Sequence, residues 1–157
     1  MKFTATADGF LDLGGVRAAA DKREGDGASP AGVWPIRKLL YRPDKGPAPQ
    51  SALPTAAIAA DDGWCDAPGD ASYNRPVALP YPASAERMWR ADDAYDLVVV
   101  LGHNDDPPVA SMGSCIFLHL ARPDYSSTEG CVAVTRADMA QFLRLARPGD
   151  VVEIRGD

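Results

Sequence analysis

Proline and glycine interrupt this chain along its whole length, with 14 of each in 157 residues. Proline fixes φ and removes a backbone donor, and glycine weakens any regular element it sits in. Such punctuation favours short elements joined by turns, so the expected class is mostly β. An apolar fraction of 46% is ordinary for a globular protein, and the length suits a single domain, residues 1–157, around one core.

Taken in order, Lys2–Ala7 alternates and meets Asp8-Gly9, a hairpin signal. Phe10–Leu13 and Val16–Ala20 follow on either side of Gly14-Gly15, which predicts an opening β-meander. Residues 21–32 are rich in charge, Gly and Pro and read as a loop. Arg37–Tyr41 fits either a strand or a short turn of helix. Residues 43–55 and 67–83 read as proline-containing connections, with a short strand at Leu53–Ala60. Asp61–Asp66 is an acidic turn without the spacing or the closing Glu of a calcium loop. Ser84–Arg90 fits a short helix with Met88 and Trp89 on the core, and Tyr95–Leu101 is the best candidate for a central strand. Thr135 caps the clearest helix, with Asp138 at N3 and Met139, Phe142, Leu143 and Ala146 at helical spacing. Pro148-Gly149 stops it, and Val151–Arg155 alternates as a last strand.

One stretch carries chemistry, Ile116–Val134. Ile116, Leu118 and Leu120 alternate with Phe117, His119 and Ala121, so His119 lies beside Phe117 on the face opposite the leucines. A polar loop follows and ends in Glu129-Gly130-Cys131. A glycine before a cysteine allows a tight turn that leaves the thiol and its own N–H accessible, the layout of a thiolate nucleophile beside an oxyanion site. A free cysteine is also commonly a small buried hydrophobe, and a strand histidine is commonly packed against a carbonyl. The other cysteines are Cys115, on the predicted strand and read as structural, and Cys65, in a turn among Asp61, Asp62 and Asp66. His103 follows the central strand and reads as an exposed or capping residue. The odd cysteine count gives no disulfide framework, and no CxxC or HxxxH spacing supports a zinc module built from these residues.

His119 with Thr128-Glu129-Gly130-Cys131 resembles the catalytic motif of the L,D-transpeptidase (YkuD-like) domain, a strand histidine followed by Ser/Thr-His-Gly-Cys. Ser29-Pro30-Ala31-Gly32, ahead of Val33-Trp34-Pro35-Ile36, resembles that family's Thr-Pro-x-Gly segment, in the expected order. Glu129 stands where the family usually has a second histidine, the loop after His119 is shorter than usual, and Val132-Ala133 replaces polar or basic residues. The resemblance implies a β-sandwich with mixed strands and one or two short helices. It implies acyl transfer on peptidoglycan stem peptides without a cofactor, with water as the alternative acceptor in an L,D-carboxypeptidase. Cys131 would be the nucleophile, with a lowered pKa, and His119 the base. The backbone N–H groups of Gly130 and Cys131 would hold the oxyanion, and Glu129 and Thr128 would be substrate contacts; Arg122 and Tyr125, in the loop beside them, read first as surface decoration and second as substrate contacts. Glu129 is equally read as support for the imidazolium.

Other readings are a cysteine peptidase or amidase on another amide, and a peptidoglycan-binding domain without turnover. Papain-like and NlpC-like enzymes place the cysteine before the histidine, the reverse of the order here. A net charge of −6 argues against a nucleic-acid surface. No run is long and apolar enough to span a membrane. The family predicts the periplasm or cell envelope. The first residues carry no signal-peptide pattern, which is equally compatible with the cytoplasm. Oligomeric state is left open by the sequence.

Overall fold

The computed structural model describes residues 1–6, 15–124 and 126–156. Its strands, in chain order, are β1 (Lys2–Thr6), β2 (Val16–Ala18), β3 (Ser29–Tyr41), β4 (Thr55–Ala57), β5 (Asp62–Cys65) and β6 (Pro76–Ala78). They continue as β7 (Ala85–Arg87), β8 (Leu97–Leu101), β9 (Phe117–Leu120), β10 (Val132–Val134) and β11 (Val151–Arg155). One α-helix, α1 (Arg136–Leu145), precedes β11, and a 3-10 turn, Ala19–Asp21, follows β2. The molecule is mostly β, as the proline and glycine distribution predicts.

β3 organises the sheet. Its first half pairs with β2 and β11, and its second half with β4 and β8. A register shift between Ile36 and Lys38 marks an irregularity where the strand passes from one set of partners to the other. Such a bulge bends a strand and raises its local twist. The full order is β1-β11-β3-β8-β9-β10, with β2 and β4 beside β3, so the mixed sheet curls on itself. Ala5, Val152 and Ile154 from one end meet Val99, Leu118 and Val132 from the other in a single core that also takes Met139 and Leu143 of α1.

β8 and β9 are buried on both faces, which is why they read as nearly unbroken apolar runs. Val99, Leu101, Leu118 and Leu120 face the main core, while Val98, Val100 and Phe117 face a second cluster. That cluster is roofed by a small sheet, β6-β5-β7, whose Trp64 stands edge-on to Phe117 with ring centroids 5.1 Å apart.

Several local expectations differ from the structure. β1 pairs in parallel with β11 and β2 in parallel with β3. The Asp8-Gly9 hairpin and the Phe10–Leu13 strand fall outside the described residues. Ser29–Gly32 belongs to β3 and not to the preceding loop. Ala85–Arg87 is a strand where a helix was expected, because it forms a ladder with β5, and tertiary pairing overrides local propensity. Cys65 lies in β5, fully buried, instead of in a turn. His103 is also buried, packed edge-on to Trp34 at 4.7 Å between centroids, and its Nδ1 has no partner.

Candidate active site

β9 and β10 run parallel, with Val132 opposite Leu118 and Ala133 opposite His119. Parallel neighbours need a crossover connection, and here the crossover is the segment 121–131, whose described residues form no helix. The register puts Cys131 one residue before Val132, on the face that also carries Phe117 and His119. Cys131 and His119 therefore line one cavity of about 270 Å³, whose walls include Glu24, Glu86, Tyr95, Cys115, Arg122 and Glu129.

The turn that presents Cys131 is held from three sides. Gly130 has φ +101°, a left-handed conformation that a side chain disfavours, and a Cβ there would lie 2.7 Å from the Ala28 carbonyl oxygen. The Ser29 hydroxyl donates to the Gly130 carbonyl at 2.9 Å. The Thr128 hydroxyl donates to the Cys131 carbonyl at 2.7 Å. Ala28 and Ser29 border the Ser-Pro-Ala-Gly segment, so the two motifs separated in sequence meet at the cysteine turn.

His119 is only 6% exposed, and its Nδ1 lies 2.9 Å from the Leu120 carbonyl. A carbonyl can only accept, so Nδ1 carries the proton and Nε2 keeps its lone pair. Burial pushes the imidazole down to about 4. The Leu120 bond opposes that shift, Arg122 and Arg90 add to it, and Asp92 works against it. Cys131 is likewise 6% exposed, and its thiol donates to the Cys115 carbonyl at 3.0 Å. Burial first, then the Glu86 carboxylate, push the thiol up to about 12, against hydrogen bonds from the Phe117 N–H and the Tyr95 hydroxyl. A lowered thiol pKa is thus corrected. The resting pair is a neutral thiol and a neutral imidazole, because desolvation outweighs the donors around the sulfur.

The remaining sequence candidates sit as follows. Glu129 is exposed and lines the cavity. Thr128 is buried, and its hydroxyl is engaged within the turn. Arg122 is half-buried and holds the crossover through Asp92 at 3.4 Å, the Ser126 hydroxyl at 3.2 Å and the Ser127 carbonyl at 3.4 Å. Tyr125 lies outside the described residues. Cys115 is not on the strand. It precedes β9 with φ +56°, and this bend brings its carbonyl to Cys131.

Sequence reasoning missed Asn74, buried with φ +55°, whose Oδ1 accepts from Trp64 Nε1 at 3.0 Å and the Cys115 N–H at 3.2 Å. It also missed Glu86 and Tyr95 as cavity residues. No local signal marked them, since Glu86 stands beside Arg87 and Tyr95 stands among Asp92, Asp93 and Asp96.

A neutral thiol and a neutral imidazole therefore line one cavity of mixed charge. The family model for the YkuD L,D-transpeptidase catalytic domain matches residues 6–154, and the chain belongs to that family. The family's enzymes are L,D-transpeptidases acting on peptidoglycan, typically associated with the cell envelope. No curated protein and no solved structure matches the chain. Among the described residues, no helix is long and apolar enough to cross a membrane.

Proposed function

We propose that the chain, acting as one catalytic domain, is a cysteine acyltransferase on peptidoglycan stem peptides. The observation that carries this reading is that Cys131 and His119 line one cavity, with the His119 tautomer set by the Leu120 carbonyl. In the reaction, Cys131 Sγ attacks the carbonyl between an L- and a D-centre of a stem tetrapeptide while His119 Nε2 takes the thiol proton. Transfer during attack suits a pair that rests neutral. The Gly130 and Cys131 N–H groups hold the oxyanion. Collapse of the tetrahedral adduct expels the terminal D-alanine, whose amine receives the proton from His119, and leaves a thioester. The amine of a second stem then resolves the thioester into a cross-link, and water in its place gives an L,D-carboxypeptidase.

Glu129, on the cavity wall, is suited to an ammonium group of the substrate. Arg122 orders the crossover from which substrate is reached, and Thr128 shapes the nucleophile turn. The site belongs in the cell envelope, where its substrate lies.

The test is intact-mass measurement after incubation with disaccharide-tetrapeptide or a carbapenem. An acyl adduct is expected on the native protein, mapping to Cys131 and lost in Cys131→Ala. Dimeric product assigns an amine acceptor, and D-alanine release with a tripeptide product assigns water. Absence of any adduct on folded native protein, or an adduct that survives in Cys131→Ala, overturns the proposal.

A further inference from the structure

In the resting site the Cys131 thiol donates to the Cys115 carbonyl at 3.0 Å. A carbonyl oxygen holds a thiol but repels a thiolate, so once the proton leaves, the sulfur depends on donors. Two are placed to stabilise it, the Phe117 N–H and the Tyr95 hydroxyl, for both residues pack with Cys131 in one buried cluster and Tyr95 lines the same cavity. The first is fixed in β9. The second has a competing partner, because the Tyr95 hydroxyl also donates to Glu86 Oε1. One hydroxyl proton cannot serve both acceptors.

The surroundings fix both side chains. The Tyr95 ring stands edge-on to His119 at 5.3 Å and to Phe117 at 6.1 Å, and the Arg90 guanidinium lies over its face at 5.0 Å. Glu86, on β7, lies 4.0 Å from Arg90. The other groups bearing on it are Tyr95 before β8, Cys115 before β9 and Asp66 after β5, and its charge in turn acts on Cys131 before β10.

We propose that Tyr95 is a further catalytic residue, its hydroxyl donating to the Cys131 sulfur as negative charge develops there, and that Glu86 is the positioning residue that frees this hydroxyl when its own carboxyl is neutral. The inference rests on Cys131 being the nucleophile. A neutral Glu86 donates its O–H to the Tyr95 oxygen, and Tyr95 donates to sulfur. An ionised Glu86 captures the hydroxyl and sets its own charge against the thiolate. Burial pushes the Glu86 carboxyl up, toward the neutral form, and holds the Tyr95 hydroxyl well above its ordinary range, so it stays a donor. Proton bookkeeping is unchanged. The thiol proton goes to His119 Nε2 as the S–C bond forms, and Tyr95 and Glu86 keep their protons throughout.

Iodoacetamide alkylation of Cys131 as a function of pH, read by peptide mapping, tests this alongside carbapenem acylation. Tyr95→Phe keeps the ring and removes the donor. It should raise the apparent Cys131 pKa by about one unit and slow acylation on the order of tenfold. Glu86→Gln mimics the neutral acid and should lower the apparent Cys131 pKa. A folded Tyr95→Phe protein with the native alkylation profile, or a Glu86→Gln protein whose Cys131 pKa rises, overturns the inference. The outcomes separate it from the transferase reading. A native protein that is never acylated, with an alkylation profile that shifts in Tyr95→Phe, retains the donor and loses the transferase. A native protein that is acylated, with no shift in either variant, retains the transferase and loses the donor.

Discussion

At the scale of single residues, Gly130 has little freedom. Its backbone sits at φ +101°, and the Ala28 carbonyl oxygen occupies the space a Cβ would need. Gly130→Ala therefore meets both a strained conformation and a backbone clash. It should cost about 1–3 kcal/mol in a urea melt, and it should slow acylation of Cys131 by at least about tenfold, since a small misplacement of a nucleophile is costly. A native acylation rate in the folded variant would show that the turn tolerates the side chain. The pair His119 and Cys131 was legible because its residue types are few in the chain and its spacing is distinctive. The protonation state was not legible, because burial and the Glu86 charge that set it come from segments far apart in sequence.

Among elements, two hydroxyls make similar bonds with different consequences. Thr135 caps α1 by accepting from the Asp138 N–H at 3.1 Å. Ser29, at the start of β3, donates to the Gly130 carbonyl beside Cys131. Thr135→Ala should cost about 1 kcal/mol of stability, and Ser29→Ala about 1–3 kcal/mol by leaving a buried carbonyl without that donor. Only Ser29→Ala should also slow adduct formation, measured by intact mass at matched temperature. Equal acylation rates in the two variants would mean that β3 does not position the nucleophile. The contrast between well and poorly predicted elements has the same physical source. α1 and β11 carry their periodicity within themselves, and β8 is marked by its β-branched run. β5 and β7 are too short and mixed in composition to do so, and they exist because each completes the other's ladder.

For the molecule as a whole, the two histidines govern part of the acid response. Burial pushes both His103 and His119 down to about 4, His103 also under the influence of Lys22. Above the unfolded value of about 6.5 neither state carries these protons. Between there and about 4 the unfolded chain binds them and the folded chain resists, so stability falls as pH falls through that window. Two full protons correspond to a limiting slope of about 2.7 kcal/mol per pH unit. Glu86, shifted upward by burial, works in the opposite sense, losing its contribution as pH rises through its folded value. With the opposing carboxyl removed in Glu86→Gln, the urea midpoint should be lower at pH 5 than at pH 7, and an equal or higher midpoint at pH 5 in that variant would show that the two imidazoles do not resist protonation. β3 adds a consequence of another kind. One continuous strand supplies hydrogen-bond partners to both halves of the curled sheet, β11 on one side and β8 on the other, so neither half can separate without breaking a ladder of β3. Detaching either half exposes an edge of the same strand and strips the shared core, which makes melting an all-or-none event. The slowest-exchanging amides of β8 and β11 then report one common global free energy, not two local ones.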